Sequence, residues 1–190
     1  LGHDIVVSPT SHCYFDYGIE TTDLEKVYSF DPIPVELNQE ERKHILGGEC
    51  NMWSEYAPQE TIDSKLFPRI LALAEIVWTY PENKNYPEFL SRVRNHYFNL
   101  QRLGVNYGVE SVPIKINSNY DEINNSFTIG IEKTQDNIDI YFTTDDSEPE
   151  LTSRFQLNPF KITETTTLKL AAMVNQTVIT KTNRRFIFHN

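Results

Sequence analysis

Near Tyr107-Gly108 the spacing of apolar residues changes period, and that change limits what this 190-residue chain can fold into. Downstream the apolar residues alternate: Phe127, Ile129 and Ile131; Ile138, Ile140 and Phe142; Leu168, Leu170 and Ala172; Phe186 and Phe188. A period of two puts such residues on one face of a strand. Polar turns such as Gln135-Asp136-Asn137 and Asn175-Gln176 separate the runs, so residues 108–190 are expected to form an antiparallel β-sandwich. Over residues 1–107, by contrast, short apolar runs alternate with segments of helical spacing.

The first such run, residues 3 to 9, is β-branched and stopped by Pro9, which predicts a strand followed by a loop from Thr10 to Asp16. Thr22-Asp23-Leu24-Glu25 fits a capping box with Thr22 as cap, opening a short helix over Leu24 to Tyr28 that Pro32 and Pro34 follow. Asn38 before Glu40 and Glu41 marks another brief helix, which gives way to a strand at Ile45. After Pro58 one helix is predicted from Asp63 to Thr79, with Pro68 tolerated near its start, Trp78 in the core, and Arg69 and Glu75 as structural charges. A second helix after Tyr86-Pro87 aligns Phe89, Leu90, Val93, Tyr97, Leu100 and Leu103 on one side, with Gly104 as its C-terminal cap.

Within this part the stretch from Ile45 to Tyr56 is the most informative. It starts apolar, passes through Gly47 and Gly48, which let a backbone approach a neighbour closely, and ends with Trp53 and Glu55 two positions apart. If the backbone stays extended, those two side chains share a face. Tyr14-Phe15-Asp16 repeats the arrangement after Ile5-Val6-Val7. A π-surface beside a hydrogen-bond acceptor suits a ligand with one apolar face and several hydroxyls, such as a pyranose sugar. The competing reading has Tyr14 and Trp53 as core aromatics and Asp16 and Glu55 as solvated or helix-capping acids.

A net charge of −10 disfavours phosphate backbones and anionic lipid, so neither nucleic acid nor a membrane is expected as a partner. Eleven phenylalanines and ten tyrosines argue for a folded globule. Cys13 and Cys50, one beside each aromatic-x-acid pair, read as buried free thiols and not as a disulfide framework. No stretch has the length of a membrane span and no signal pattern opens the chain. A first residue Leu1 in place of Met suggests a piece of something longer, and the compartment stays unassigned. The histidines lack zinc-ligand spacing, and Pro149 makes the acidic run Asp145 to Glu150 a turn sooner than a calcium loop, so no metal or cofactor is expected. Asn124-Asn125-Ser126 and Asn175-Gln176-Thr177 match the glycosylation triplet, which arises easily in a chain rich in Asn and Thr.

Ser8-Pro9 through Tyr14-Phe15-Asp16-Tyr17, Tyr28-Ser29-Phe30-Asp31-Pro32, Leu46-Gly47-Gly48-Glu49, Asn51-Met52-Trp53-Ser54-Glu55-Tyr56 and Lys65-Leu66-Phe67-Pro68-Arg69 occur in that order. Together with Ala72, Ala74-Glu75 and Trp78 they resemble glycoside hydrolase family 20, the β-N-acetylhexosaminidases. The resemblance covers roughly residues 2 to 107. It implies an α/β fragment of a (β/α)₈ TIM barrel, the last two strand-helix units, with the amphipathic helix after Pro87 cladding the outside. The paired Asp-Glu that supplies the family's general acid has no counterpart here. Tyr141 to Pro149, Asn158-Pro159-Phe160 and Thr165 to Lys169 resemble the small immunoglobulin-like C-terminal domain of chitobiase-like members, with Asp146 in place of the turn's usual glycine.

By that resemblance the parent enzyme is exo-acting on N-acetylhexosamine-containing oligosaccharides or glycoconjugates. The substrate's own acetamido oxygen is the nucleophile, an exception to the two-carboxylate scheme. Tyr14 would hydrogen-bond that oxygen, Trp53 would wall the acetamido pocket, and Asp16 and Glu55 would accept hydrogen bonds from sugar hydroxyls. Lacking the acid, this polypeptide alone is expected to be inactive and to self-associate through exposed barrel edges. A rival reading is a carbohydrate- or protein-binding sandwich presenting Tyr120 and Tyr141; a purely structural domain leaves both aromatic-x-acid pairs unexplained.

Overall fold

A computed structural model describes residues 2–136, 138–153, 158–174 and 176–188. Asn137 of the first polar turn, Asn175 of the second glycosylation triplet and His189 lie outside the described residues. By internal contacts the chain divides into two compact units, Leu1–Ser111 and Val112–Asn190.

The first unit is mixed α/β. Strands β1 (Ile5–Val7) and β2 (Ile45–Gly48) pair in parallel, Ile5 with Ile45, Val6 with Gly47 and Val7 with Gly48. The extra residue at Leu46 leaves a bulge, and Gly47 takes up the geometry with φ +147°, which an L side chain rarely adopts. Gly48 is where the backbone passes close to a neighbour, since a Cβ there would sit 3.3 Å from the Phe30 ring and 3.4 Å from the Val7 carbonyl.

Between the strands lie α1 (Thr10–Cys13), a single turn inside the segment expected to be a loop, α2 (Leu24–Ser29) and α3 (Gln39–Arg42). The cap of α2 is Asp23, whose carboxylate accepts from the Lys26 amide at 2.8 Å, and not the expected Thr22. Thr22 is fully buried and turns its hydroxyl toward the Ser11 carbonyl, so it is consumed by the core. α3 starts at Asn38 as expected, and the structure adds a reciprocal box between Asn38 and Glu41.

The helix predicted as continuous from Asp63 to Thr79 is two, α4 (Ile62–Leu66) and α5 (Arg69–Trp78). Pro68 falls too far along to be absorbed in a first turn; it restricts Phe67 to extended backbone and has no N–H to continue the ladder. α5 buries Arg69, Ala72, Leu73 and Ile76. Trp78, expected in the core, is 88% exposed. At about 100° per residue it points nearly opposite to the buried Arg69 and Ile76.

α6 (Tyr86–Arg102) buries Phe89, Val93 and Leu100, while Leu103, expected to complete the stripe, is exposed. The helix has closed before it. Gly104 at φ +74° and Val105 donate back to Gln101 and Leu100, the paired bonds of a Schellman ending. The core of the unit gathers Cys13, Phe15, Leu24, Val27, Tyr28 and Phe30 with α5 and α6 residues.

The second unit is all-β. Strands β3 (Ile114–Asp121), β4 (Ser126–Lys133) and β6 (Phe160–Ile162) form one antiparallel sheet in the order β3-β4-β6. β5 (Asp139–Thr143), β7 (Thr166–Val174) and β8 (Thr177–Phe186) form another in the order β5-β7-β8. Both sheets feed one core, Ile114, Ile129, Ile131 and Ile162 from the first and Ile140, Phe142, Leu168, Leu170, Ala172 and Phe186 from the second. The alternation read from the sequence supplies these side chains directly. Asp146 takes φ +63°, as its turn requires in the absence of glycine. Tyr120 leans on Phe127 and donates its hydroxyl to Asn125 at 2.7 Å, and Tyr141 is half-buried.

Candidate functional site

Both aromatic-x-acid segments leave the C-terminal edge of the parallel pair β1-β2. After β1 the chain makes the α1 turn, with the His12 and Cys13 amides donating to the Pro9 carbonyl. It then straightens at Tyr14, which resumes parallel pairing with Asn51. The Asn51 amide donates to the Cys13 carbonyl at 2.8 Å and the Phe15 amide to the Asn51 carbonyl at 2.9 Å. Cys13 and Phe15 are both fully buried, while Tyr14 between them keeps a half-exposed ring. Two core anchors thus hold Tyr14 at a fixed position beside the loop that follows β2.

Asp16 closes this segment and is only 2% exposed, yet its carboxylate Oδ1 has no hydrogen-bond partner. The Asn51 Nδ2 group on the adjacent loop is a buried donor in the same condition. Unsatisfied buried polar atoms are few in folded proteins and call for a reason. Beneath Asp16 sits Arg69, equally buried. Its Nε donates to the Lys65 carbonyl at 2.8 Å, its Nη1 to the Tyr17 and Thr22 carbonyls at 3.3 and 2.9 Å, and its Nη2 to the Phe15 and Lys65 carbonyls. The guanidinium also lies 4.9 Å from the Phe15 ring centroid. Burial brings its pKa down to about 10, against which the Asp16 carboxylate acts in the opposite sense. Lys65 donates to the Asp16 carbonyl at 2.5 Å, and burial, with the Arg69 charge, lowers its pKa too.

On the neighbouring loop the expected extended backbone is not what forms. The Tyr56 amide donates to the Trp53 carbonyl at 3.3 Å, so Ser54, Glu55 and Tyr56 make a turn. Trp53 is 53% exposed and Glu55 is exposed, and neither is a core residue. Buried Ala57 ends the excursion. Ring stacking joins the two loops: Tyr14 and Tyr17 lie 6.3 Å apart between centroids, and Tyr17 and Tyr56 lie 5.9 Å apart. Tyr17, Tyr56, Asn51 and Lys65 carry no assignment from sequence. Their signal is long-range contact, which local spacing does not record. Cys13 and Cys50 are free thiols packed in or against the core. Burial raises both, Cys13 to about 11.

Among the described residues no group of His, Cys, Asp and Glu is arranged to hold a metal ion, and no helix is long and apolar enough to cross a membrane. The site therefore offers a buried carboxylate acceptor, a tyrosine hydroxyl and aromatic surface. That is the chemistry of recognising a neutral polyhydroxylated ligand.

Residues 1–81 match the family described as glycosyl hydrolase family 20, catalytic domain, and residues 129–183 match one described as Fn3 associated. A β-hexosaminidase of Porphyromonas gingivalis is 31% identical over 186 residues, covering 90% of this chain and 24% of the relative. The chitooligosaccharidolytic β-N-acetylglucosaminidase of Ostrinia furnacalis is 34% identical over 92 residues, covering 42% and 15%. Among solved structures, the exo β-N-acetylglucosaminidase of Vibrio harveyi in complex with N-acetylglucosamine superposes with a TM-score of 0.52 at 29% identity, over 57% of this chain and 19% of that one. The chain thus spans a quarter or less of the length of these relatives. The motifs, the parallel strand pair and these matches agree that residues 1–81 carry part of a glycosyl hydrolase family 20 catalytic domain.

Proposed function

We propose that residues 1–107 form the last two strand-helix units of a (β/α)₈ barrel in an exo-acting β-N-acetylhexosaminidase. They contribute one side of the pocket that holds the terminal N-acetylhexosamine. Residues 108–190 form an immunoglobulin-like sandwich appended to it. The parallel pairing of β1 with β2, helices between and after them, and both candidate loops on the C-terminal edge support the barrel reading, because barrel enzymes keep their chemistry on that edge. Ile5, Val6, Leu46, Trp78 and Tyr80 are exposed apolar side chains, suited to cover by the rest of a barrel; uncovered, they make the chain self-associate.

In this reading the substrate's acetamido oxygen attacks the anomeric carbon while a carboxylic acid from elsewhere in the barrel protonates the leaving oxygen. Tyr14 donates its hydroxyl proton as a hydrogen bond to the acetamido oxygen as charge redistributes. Trp53 walls the acetamido methyl and ring, and Asp16 and Glu55 accept from hydroxyls at the non-reducing end. The polypeptide alone lacks the acid and is inactive.

The observation that carries this is the Asp16 carboxylate, buried with Oδ1 unpartnered. A fold bears that desolvation where a ligand supplies the missing donor. Asp16→Asn in the full-length protein tests it, because the amide keeps the shape and replaces an acceptor with a donor. A loss of roughly 10- to 100-fold in kcat/KM on a chromogenic N-acetylglucosaminide is expected from losing a charge-assisted hydrogen bond. An unchanged kcat/KM removes Asp16 from the site.

A further inference from the structure

We propose that Arg69, backed by Lys65, is a positioning residue that fixes Asp16 as an acceptor whose Oδ1 is kept open, an inference that rests on the sugar-site reading above. Arg69 has five N–H donors, and all five are spent on backbone carbonyls: two bonds to Lys65 and one each to Phe15, Tyr17 and Thr22. Phe15 and Tyr17 flank Asp16 on both sides. The clamp therefore sets the backbone that aims the carboxylate and has no donor left to occupy it. Lys65 adds the Asp16 carbonyl at 2.5 Å, so three consecutive carbonyls, 15 to 17, are held from below.

The electrostatics point the same way. A carboxylate 2% exposed needs a counter-charge, and the buried guanidinium and the Lys65 ammonium supply it from within the same cluster. A direct ion pair would neutralise Asp16 but also fill Oδ1. Charge at close range with every hydrogen bond directed elsewhere balances the carboxylate without filling it.

The test is a double-mutant cycle in the full-length protein with Arg69→Lys and Asp16→Asn, reading kcat/KM and thermal midpoint. Lysine keeps the charge but has three donors on one nitrogen, so it cannot span the four carbonyls. Arg69→Lys is expected to cut kcat/KM about 30-fold beside Asp16 and no more than about 3-fold in the Asp16→Asn background. A merely structural role gives the same factor in both backgrounds and overturns the proposal, as does an Arg69→Lys variant with unaltered kcat/KM. If Arg69→Lys does not fold, Lys65→Met runs through the same cycle. A loss of about 5-fold that vanishes in the Asp16→Asn background supports the proposal, and a loss that persists there overturns it. Should Asp16→Asn alone leave kcat/KM unchanged, the sugar-site reading fails first, and the two failures are told apart.

Discussion

Gly108→Ala should loosen the first unit more than any other single-methyl change in it. A Cβ at Gly108 would lie 2.1 Å from the Ser64 carbonyl oxygen and 3.0 Å from its carbon, both backbone atoms that no rotamer change can move aside. Relief needs a displacement of about 1 Å or more, given that carbon contacts settle near 3.5 Å. That displacement breaks the bond from the Gly108 amide to the Phe67 carbonyl at 2.9 Å. It also shifts Tyr107, whose ring stacks on Tyr97 at 4.3 Å with 6° between planes. Overpacking costs about 1–3 kcal/mol, the hydrogen bond about 1 and the aromatic pair about 1. These neighbours are coupled, so the total is taken as about 3 kcal/mol and not the full sum.

The strap from Asn106 to Glu110 transmits the effect. It binds Asp63 through the Asn106 amide, accepts from the Leu24 amide at the Glu110 carbonyl, and anchors the Glu110 carboxylate on Arg94 and Tyr97. About 3 kcal/mol corresponds to a roughly 100-fold gain in exchange rate for amides that open with the unit. Hydrogen exchange followed by mass spectrometry, comparing peptides over 62–67 and 105–110 with peptides of the second unit, reads this region by region. Gly18→Ala is the control, because its Cβ meets only the movable Glu20 carboxylate end. Exchange in Gly108→Ala within about threefold of the parent over both peptides would show that the strap is not packed as described.

Two further outcomes follow from the core and from the missing acid. The Cys13 thiol, pushed up to about 11 chiefly by burial, should resist alkylation near pH 8 in the folded protein. Because its folded value exceeds the unfolded one, this contribution to stability is complete below about pH 9 and is lost as pH rises to about 11; rapid alkylation at pH 8 without denaturant contradicts the burial. The chain expressed alone should show no turnover of a chromogenic N-acetylglucosaminide, and measurable turnover that survives purification to homogeneity would place the acid within these 190 residues.

The strands of the second unit are legible because a half-buried strand writes its environment into every second residue, as Ile129, Ile131, Ile140, Phe142, Leu168 and Leu170 do. Caps such as Asn38 with Glu41 are legible for the same reason, since their bonds span three residues. The turn at Trp53–Tyr56 is not, because Trp-Ser-Glu-Tyr contains no glycine, proline, asparagine or aspartate to announce it. Trp78 reads as core because it falls at helical spacing in a broad apolar arc, although its angle from Ile76 opposes the buried face, which shows that membership of such an arc is weaker than the direction of each residue in it. Arg69 is legible as a structural charge by its place among apolar neighbours. Its partners at Phe15 and Thr22 lie about fifty residues away, and only the fold supplies them.

The two halves of the candidate site are therefore built on different terms. Asp16 is held by the backbone clamps of two cations, Arg69 and Lys65, and its unpartnered oxygen is a standing desolvation cost that the fold carries whether or not a ligand is present. Trp53 and Glu55 sit on an exposed turn, tied to the Tyr14 segment by the Tyr17 and Tyr56 rings and by the backbone pairing two residues before Trp53, at Asn51. A preorganised acceptor favours the step in which charge moves, because no reorganisation is needed at that moment. An exposed tryptophan gains its apolar contact only when a ligand or a neighbouring wall covers it. If these loops line the proposed sugar site, substitutions in the Tyr14–Asp16 segment are expected to act on turnover, and those in the Trp53 turn on capture of the sugar and on which acyl substituent is accepted.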